Sequence, residues 1–115
     1  MGMILCEDHG RTGIRTGILE QICQKVLDDI PITQEELSYI LVEYYDNETF
    51  MFTNKYIVTK KFKKESNLNV YYKVSTEEEA ALLYNKLGSN TSAICGKCFE
   101  EYLKKYNINI DLVEE

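Results

Sequence analysis

The sequence predicts an α+β domain, an antiparallel sheet of four to five strands packed with two to three helices. Two observations carry this. Apolar residues at 19, 22, 23, 26, 27 and 30 repeat at the i, i+3, i+4, i+7 spacing of a helix with one buried face. Two β-rich runs, LSYILVEYY and TFMFTNKYIV, flank the short polar stretch Asp46-Asn47-Glu48, as in a hairpin. The 115 residues, 44% hydrophobic, are enough for one domain with a real core.

In chain order, 3–6 and 13–18 read as a short hairpin around a Gly-flanked turn. The helix over 19–30 follows, ended by Pro31, the only proline, because the residue before a proline avoids helical geometry. The hairpin of 37–45 and its partner comes next, then a third strand of this central part at 69–74, NVYYKV. Ser75 or Thr76 is placed to cap a helix, with Glu78 or Glu79 three residues on to reach back, and Gly88 is placed to stop it. The last helix, 99–106, has glutamates early and lysines late, as the helix dipole prefers. The expected order is β β α β β β α α.

No apolar run approaches the roughly 20 residues of a membrane span, and the opening residues lack the basic and apolar regions of a secretory signal. A cytosolic protein is the expectation. The net charge of −6 disfavours broad nucleic-acid binding and favours a partner with a basic face.

Two short clusters near the chain ends carry chemistry. Cys6-Glu7-Asp8-His9-Gly10 is a C-x-x-H followed by Gly, and Cys95-Gly96-Lys97-Cys98 is a C-x-x-C. A two-residue spacer lets a tight turn aim both ligands at one ion, with Gly10 and Gly96 where such turns need positive φ or close backbone approach. Zinc favours tetrahedral sets of this kind, so the expected ligands are Cys6, His9, Cys95 and Cys98 around a structural zinc that joins the chain ends. The zinc-bound part would comprise residues 2–18 and 89–107, with 19–88 an inserted α+β core of the same domain. Cys23, between Ile22 and Val26 on the apolar helix face, reads as a core residue. It also competes with His9 for the last coordination position, which leaves a four-cysteine set open. A third reading makes His9 a loop cap and the thiols ordinary buried residues.

Four protein ligands leave no open position for water, which a catalytic zinc keeps. The deaminase pattern H-x-E is absent, since position 11 is Arg, and there is no second His for an acid–base pair. No catalysis is expected.

Candidate binding residues fall in two groups. Tyr44-Tyr45 and Tyr71-Tyr72 lie in expected strands, where alternation turns one ring inward and its neighbour outward. Lys60, Lys61, Lys63 and Lys64, with Lys55 before them, read either as a solvated strand end and loop or as a phosphate-tracking edge.

One ligand pair in a hairpin turn and the other at a helix N-terminus resembles the treble-clef class of zinc modules, from which the long separation of the pairs departs. The C-x-x-H-G opening, the C-x-x-C near the end, the size and the acidity together resemble the small immunity-type proteins encoded beside bacterial secreted toxins. That resemblance implies a protein partner, a basic toxin domain, inhibited stoichiometrically and without catalysis. The alternative is a zinc-ribbon-like nucleic-acid accessory protein using Lys55 to Lys64.

Overall fold

The computed structural model describes residues 3–6 and 9–112, leaving aside the side chains of 3–6, 11, 12 and 112. The fold is α+β. Strands β1 (Met3–Cys6), β2 (Gly10–Leu19), β3 (Leu37–Asp46), β4 (Thr49–Thr59), β5 (Tyr71–Val74) and β6 (Thr91–Cys95) form one sheet in the order β1-β2-β4-β3-β5, with β6 also on β2. The α-helices among the described residues are α1 (Glu20–Leu27), α2 (Lys60–Glu65), α3 (Glu77–Lys86) and α4 (Gly96–Lys105). None of these helices is long and apolar enough to cross a membrane.

The sheet is mixed, not antiparallel as the sequence suggested. The β3–β4 hairpin is antiparallel over its length, turning through Asn47 and Glu48, both at positive φ as a tight hairpin turn requires. After β4 the chain reverses through α2, so β5 runs against β4 and therefore with β3, which it pairs in parallel from Leu41↔Tyr71 to Tyr44↔Val74. Strand β2 meets β4, also in parallel, at Ile18↔Ile57.

Two elements, α2 and β6, raise the helix and strand numbers above those expected. The lysines at 60, 61, 63 and 64 lie on α2, not on a strand end and loop. Thr59 caps this helix by accepting from the Phe62 N–H at 3.0 Å, and Phe62 packs against the core. Strand β6 pairs antiparallel with β2, Ile14↔Cys95 and Leu19↔Thr91 included.

Pro31 does not end the first helix. The helix closes at Leu27, with Asp29 in the left-handed region (φ 53°) and the Ile30 N–H reaching back to the Lys25 carbonyl at 2.8 Å. Asn67 after α2 and Asn107 after α4 repeat the device, followed by buried Leu68 and Ile108. Asp and Asn tolerate this backbone because a short polar side chain bonds locally. Helix α3 begins as expected, with Thr76 accepting from the Glu79 N–H at 3.2 Å, and stops at Lys86, before a 3₁₀ turn that starts at Gly88.

One core cluster joins Ile18 and Leu19 of β2, Ile22 and Val26 of α1, Ile40 and Val42 of β3, Ile57 and Val58 of β4, and Ile94, Phe99 and Tyr102 from β6 and α4. The far half of the β3–β4 hairpin extends past it. Tyr44 pairs with Phe52 and Tyr45 with Phe50, so Met51 is an extra residue, a β-bulge, and all of 49–55 is exposed. The β4 edge away from β3 meets a described strand only at Ile57.

Ile18 is fully buried where β2 touches both β4 and β6, opposite Ile57 and Ser92. Ile18→Ala is expected to cost about 2–5 kcal/mol, the usual range for a large core aliphatic cut to alanine. Urea unfolding checks this through a lower midpoint at unchanged slope.

Candidate metal centre

The β2–β6 ladder positions the site. It sets Cys95, the last residue of β6, opposite Ile14, beside the β1–β2 turn that carries His9. The chain then enters α4 directly, with Cys95 as the residue before the helix and Cys98 in its first turn. The helix therefore begins three residues earlier than the sequence suggested, taking in the second half of the C-x-x-C. Both flanking glycines suit their positions. Gly10 has φ +70°, and a Cβ on Gly96 would come within 3.2 Å of the Gly13 carbonyl oxygen.

His9, Cys95 and Cys98 each direct a ligand atom to one place, all within 4.8 Å of one another. His9 Nδ1 lies 3.4 Å from Cys98 Sγ and 3.7 Å from Cys95 Sγ. A zinc–sulfur bond of about 2.3 Å and a zinc–nitrogen bond of about 2.05 Å at a tetrahedral angle separate N and S by roughly 3.6 Å. The observed spacings bracket that value. Two sulfurs face a single ring nitrogen, which has one lone pair or one proton to offer, so hydrogen bonding alone cannot serve both equally. A cation between the three atoms serves all of them, and the group could hold a metal ion.

On its other side the ring is held by a glutamate. His9 Nε2 is 2.8 Å from Glu101 Oε1, with the histidine side chain 15% exposed and the glutamate 68%. Glu101 went unrecognised in the sequence, although its position three residues after Cys98 puts both on one face of α4.

The fourth expected ligand, Cys6, lies with its backbone in β1, paired with Gly10 beside His9. Its side chain lies outside the described residues. Cys23 is not in the cluster. It is buried on α1 with its Sγ 3.8 Å from the Ile18 carbonyl oxygen, and burial, helped by Glu20, pushes its thiol up to about 11. A thiol so reluctant to ionise suits a core position better than a ligand.

The other candidate residues are scattered. Tyr44 is half-buried and stacks on Phe52 at 4.6 Å, and Tyr45 meets Phe50 edge-on at 5.6 Å beneath Lys73. Tyr71 is exposed, its hydroxyl donating to Glu43, an interaction that pushes its pKa up to about 12. Tyr72 is turned inward and accepts from the Asn69 N–H at 2.9 Å. Tyr71 and Tyr72 thus follow the expected alternation, and the exposed Phe50, Met51 and Phe52 add apolar surface that the tyrosines alone did not flag. On α2, Lys61 and Lys64 are exposed while Lys63 Nζ donates to buried Ser38 Oγ at 3.3 Å. Lys55, on β4, donates to the Ile110 carbonyl.

No protein-family model, curated protein or solved structure matches the chain.

Elemental analysis of protein refolded with zinc separates the cysteines. Cys23→Ala is expected to retain the metal content of the wild type, and Cys95→Ser or Cys98→Ser to lose stoichiometric metal. Loss of metal in Cys23→Ala would place that thiol in the coordination sphere.

Proposed function

We propose that this chain is a non-catalytic, zinc-stabilised protein-binding module of the cytosol. The observation that carries the reading is the convergence of His9, Cys95 and Cys98 from the β1–β2 turn and the β6–α4 junction. In this reading Cys6 supplies the fourth ligand, since its place in the C-x-x-H puts it one turn from His9. The zinc then staples the residue 2–18 and 89–107 segments together, a treble-clef-like arrangement carrying a long insertion. A closed tetrahedral set supplies folding energy and leaves no position for substrate. Apparent binding free energies of structural zinc, about 10–16 kcal/mol in small peptides, match or exceed the roughly 5–15 kcal/mol by which a whole domain is stable.

The partner-binding surface of this module is the exposed end of the β3–β4 hairpin with the neighbouring face of β5. Phe50 and Tyr71 offer ring area on one face, with Tyr45 beneath Lys73, and Phe52 offers it on the other beside Tyr44, while Glu43, Asp46 and Glu48 lie among them. Aromatic area with acidic neighbours suits a protein with a basic face. The likeness to immunity-type proteins narrows that partner to a basic toxin domain. The competing nucleic-acid reading has less support, because Lys55 and Lys63 are engaged within the protein and the total charge is −6.

Stripping metal with a chelator is expected to lower the wild-type melting temperature by about 10 °C or more, the size of a loss of several kcal/mol in a domain this small. Cys98→Ser should melt at the stripped value with or without zinc. Unchanged melting in both cases defeats the structural-zinc reading. Capture of partners from the source cell, with and without nuclease, tests the second half: one stoichiometric protein surviving nuclease supports it, and loss of every partner on nuclease overturns it in favour of α2 and its lysines.

A further inference from the structure

We infer that Glu101 is the positioning residue of the metal centre, fixing His9 as an Nδ1 ligand, an inference that rests on the metal-site reading above. Two observations converge on it. The 2.8 Å contact joins Glu101 Oε1 to Nε2, the ring nitrogen remote from the sulfurs. A carboxylate accepts, so Nε2 carries the proton and Nδ1 presents its lone pair. That lone pair is the one facing Cys95 and Cys98, at 3.7 and 3.4 Å. The tautomer selected by Glu101 is therefore the one the metal needs.

The placement also explains how a loop histidine is held. His9 sits in the turn between β1 and β2, where the backbone alone leaves the ring free to rotate. Glu101 stands on α4, the helix that carries Cys98, so one rigid element supplies both a ligand and the group that orients a second ligand. Glu101 is itself largely exposed, which separates its role from general folding.

The test uses the full chain with cobalt(II) and zinc(II) as probes. Wild type, Glu101→Ala and Glu101→Gln are titrated with cobalt, read by the absorption of tetrahedral cobalt–thiolate, and zinc affinity is measured by competition with a chromophoric chelator. Glu101→Ala is expected to weaken zinc 10- to 100-fold. Glu101→Gln, whose amide oxygen still accepts from Nε2–H, should recover most of that loss. Nitrogen NMR of the zinc-loaded wild type should show His9 bound through Nδ1 with Nε2 protonated, and the three metal-free proteins should melt together.

The outcomes separate the two readings. A wild type without the cobalt–thiolate band overturns the metal site itself. A wild type that binds, alongside a Glu101→Ala variant of equal affinity or a ring bound through Nε2, leaves the site standing and overturns the role of Glu101. A Glu101→Ala loss that appears equally in metal-free stability also overturns it, by making the residue structural.

Discussion

The antiparallel ladder between β2 and β6 brings His9 and Cys95, 86 positions apart in the chain, to a contact of 3.7 Å. Almost everything chemical in the molecule follows from that pairing. β2 is the shared strand: β1 pairs with its first residues, β6 with positions 14 to 19, and β4 with Ile18. Because β6 runs straight into α4, the same ladder sets where the helix begins and hence where Cys98 and Glu101 stand. Closing a loop of this length costs about 4–5 kcal/mol by the chain-entropy estimate used for cross-links. The binding energy of a structural zinc exceeds that comfortably, so an ion at this position can offset the closure as well as fasten it.

Helix α4 is held at its other end too. Tyr102 donates to the Ile30 carbonyl at 2.6 Å, and Lys105 and Tyr106 both bond to Asp29. Asp29 is also the left-handed residue that closes α1, so one residue ends that helix and anchors α4. The Lys105 and Tyr106 contacts hold its carboxyl below the ordinary range. The His9–Cys95–Cys98 cluster at the start of α4 and the Asp29 contacts near its end thus tie the helix to both the hairpin and α1, with Phe99 and Tyr102 buried between.

Much of the fold was legible because local pattern and burial agreed. The LSYILVEYY and TFMFTNKYIV runs with their polar turn and the Thr76 cap appear where the residues suggested, and the helical periodicity holds over Leu19 to Val26, while Leu27 and Ile30 are exposed. Strand β6 was not legible: of Thr91–Cys95 only Ile94 and Cys95 are buried, so no alternation marks it. Helix α2 was hidden by its lysines, which read equally well as a charged strand end, and missing it concealed the reversal that makes β5 parallel to β3. The ends of α1, α2 and α4 are written in Asp or Asn before Ile or Leu, a signal weaker than glycine or proline. For the site, the grouping of His9 with Cys95 and Cys98 was readable from spacing alone. Glu101 was not, because an exposed glutamate on a helix has many duller explanations.

The bulge at Met51 has a bearing on how the chain behaves in concentrated solution. An edge that meets no described strand along 49–55, flanked by Phe50, Met51 and Phe52, is a template for sheet-to-sheet aggregation. The extra residue kinks that edge and spoils a flat register, while a charge of −6 keeps copies apart. Of these two protections only the kink is independent of solvent. Near the isoelectric point of about 4.9 the repulsion vanishes, and in strong salt it is screened to within a few ångströms. Colloidal stability therefore falls near pH 4.9 and at high ionic strength.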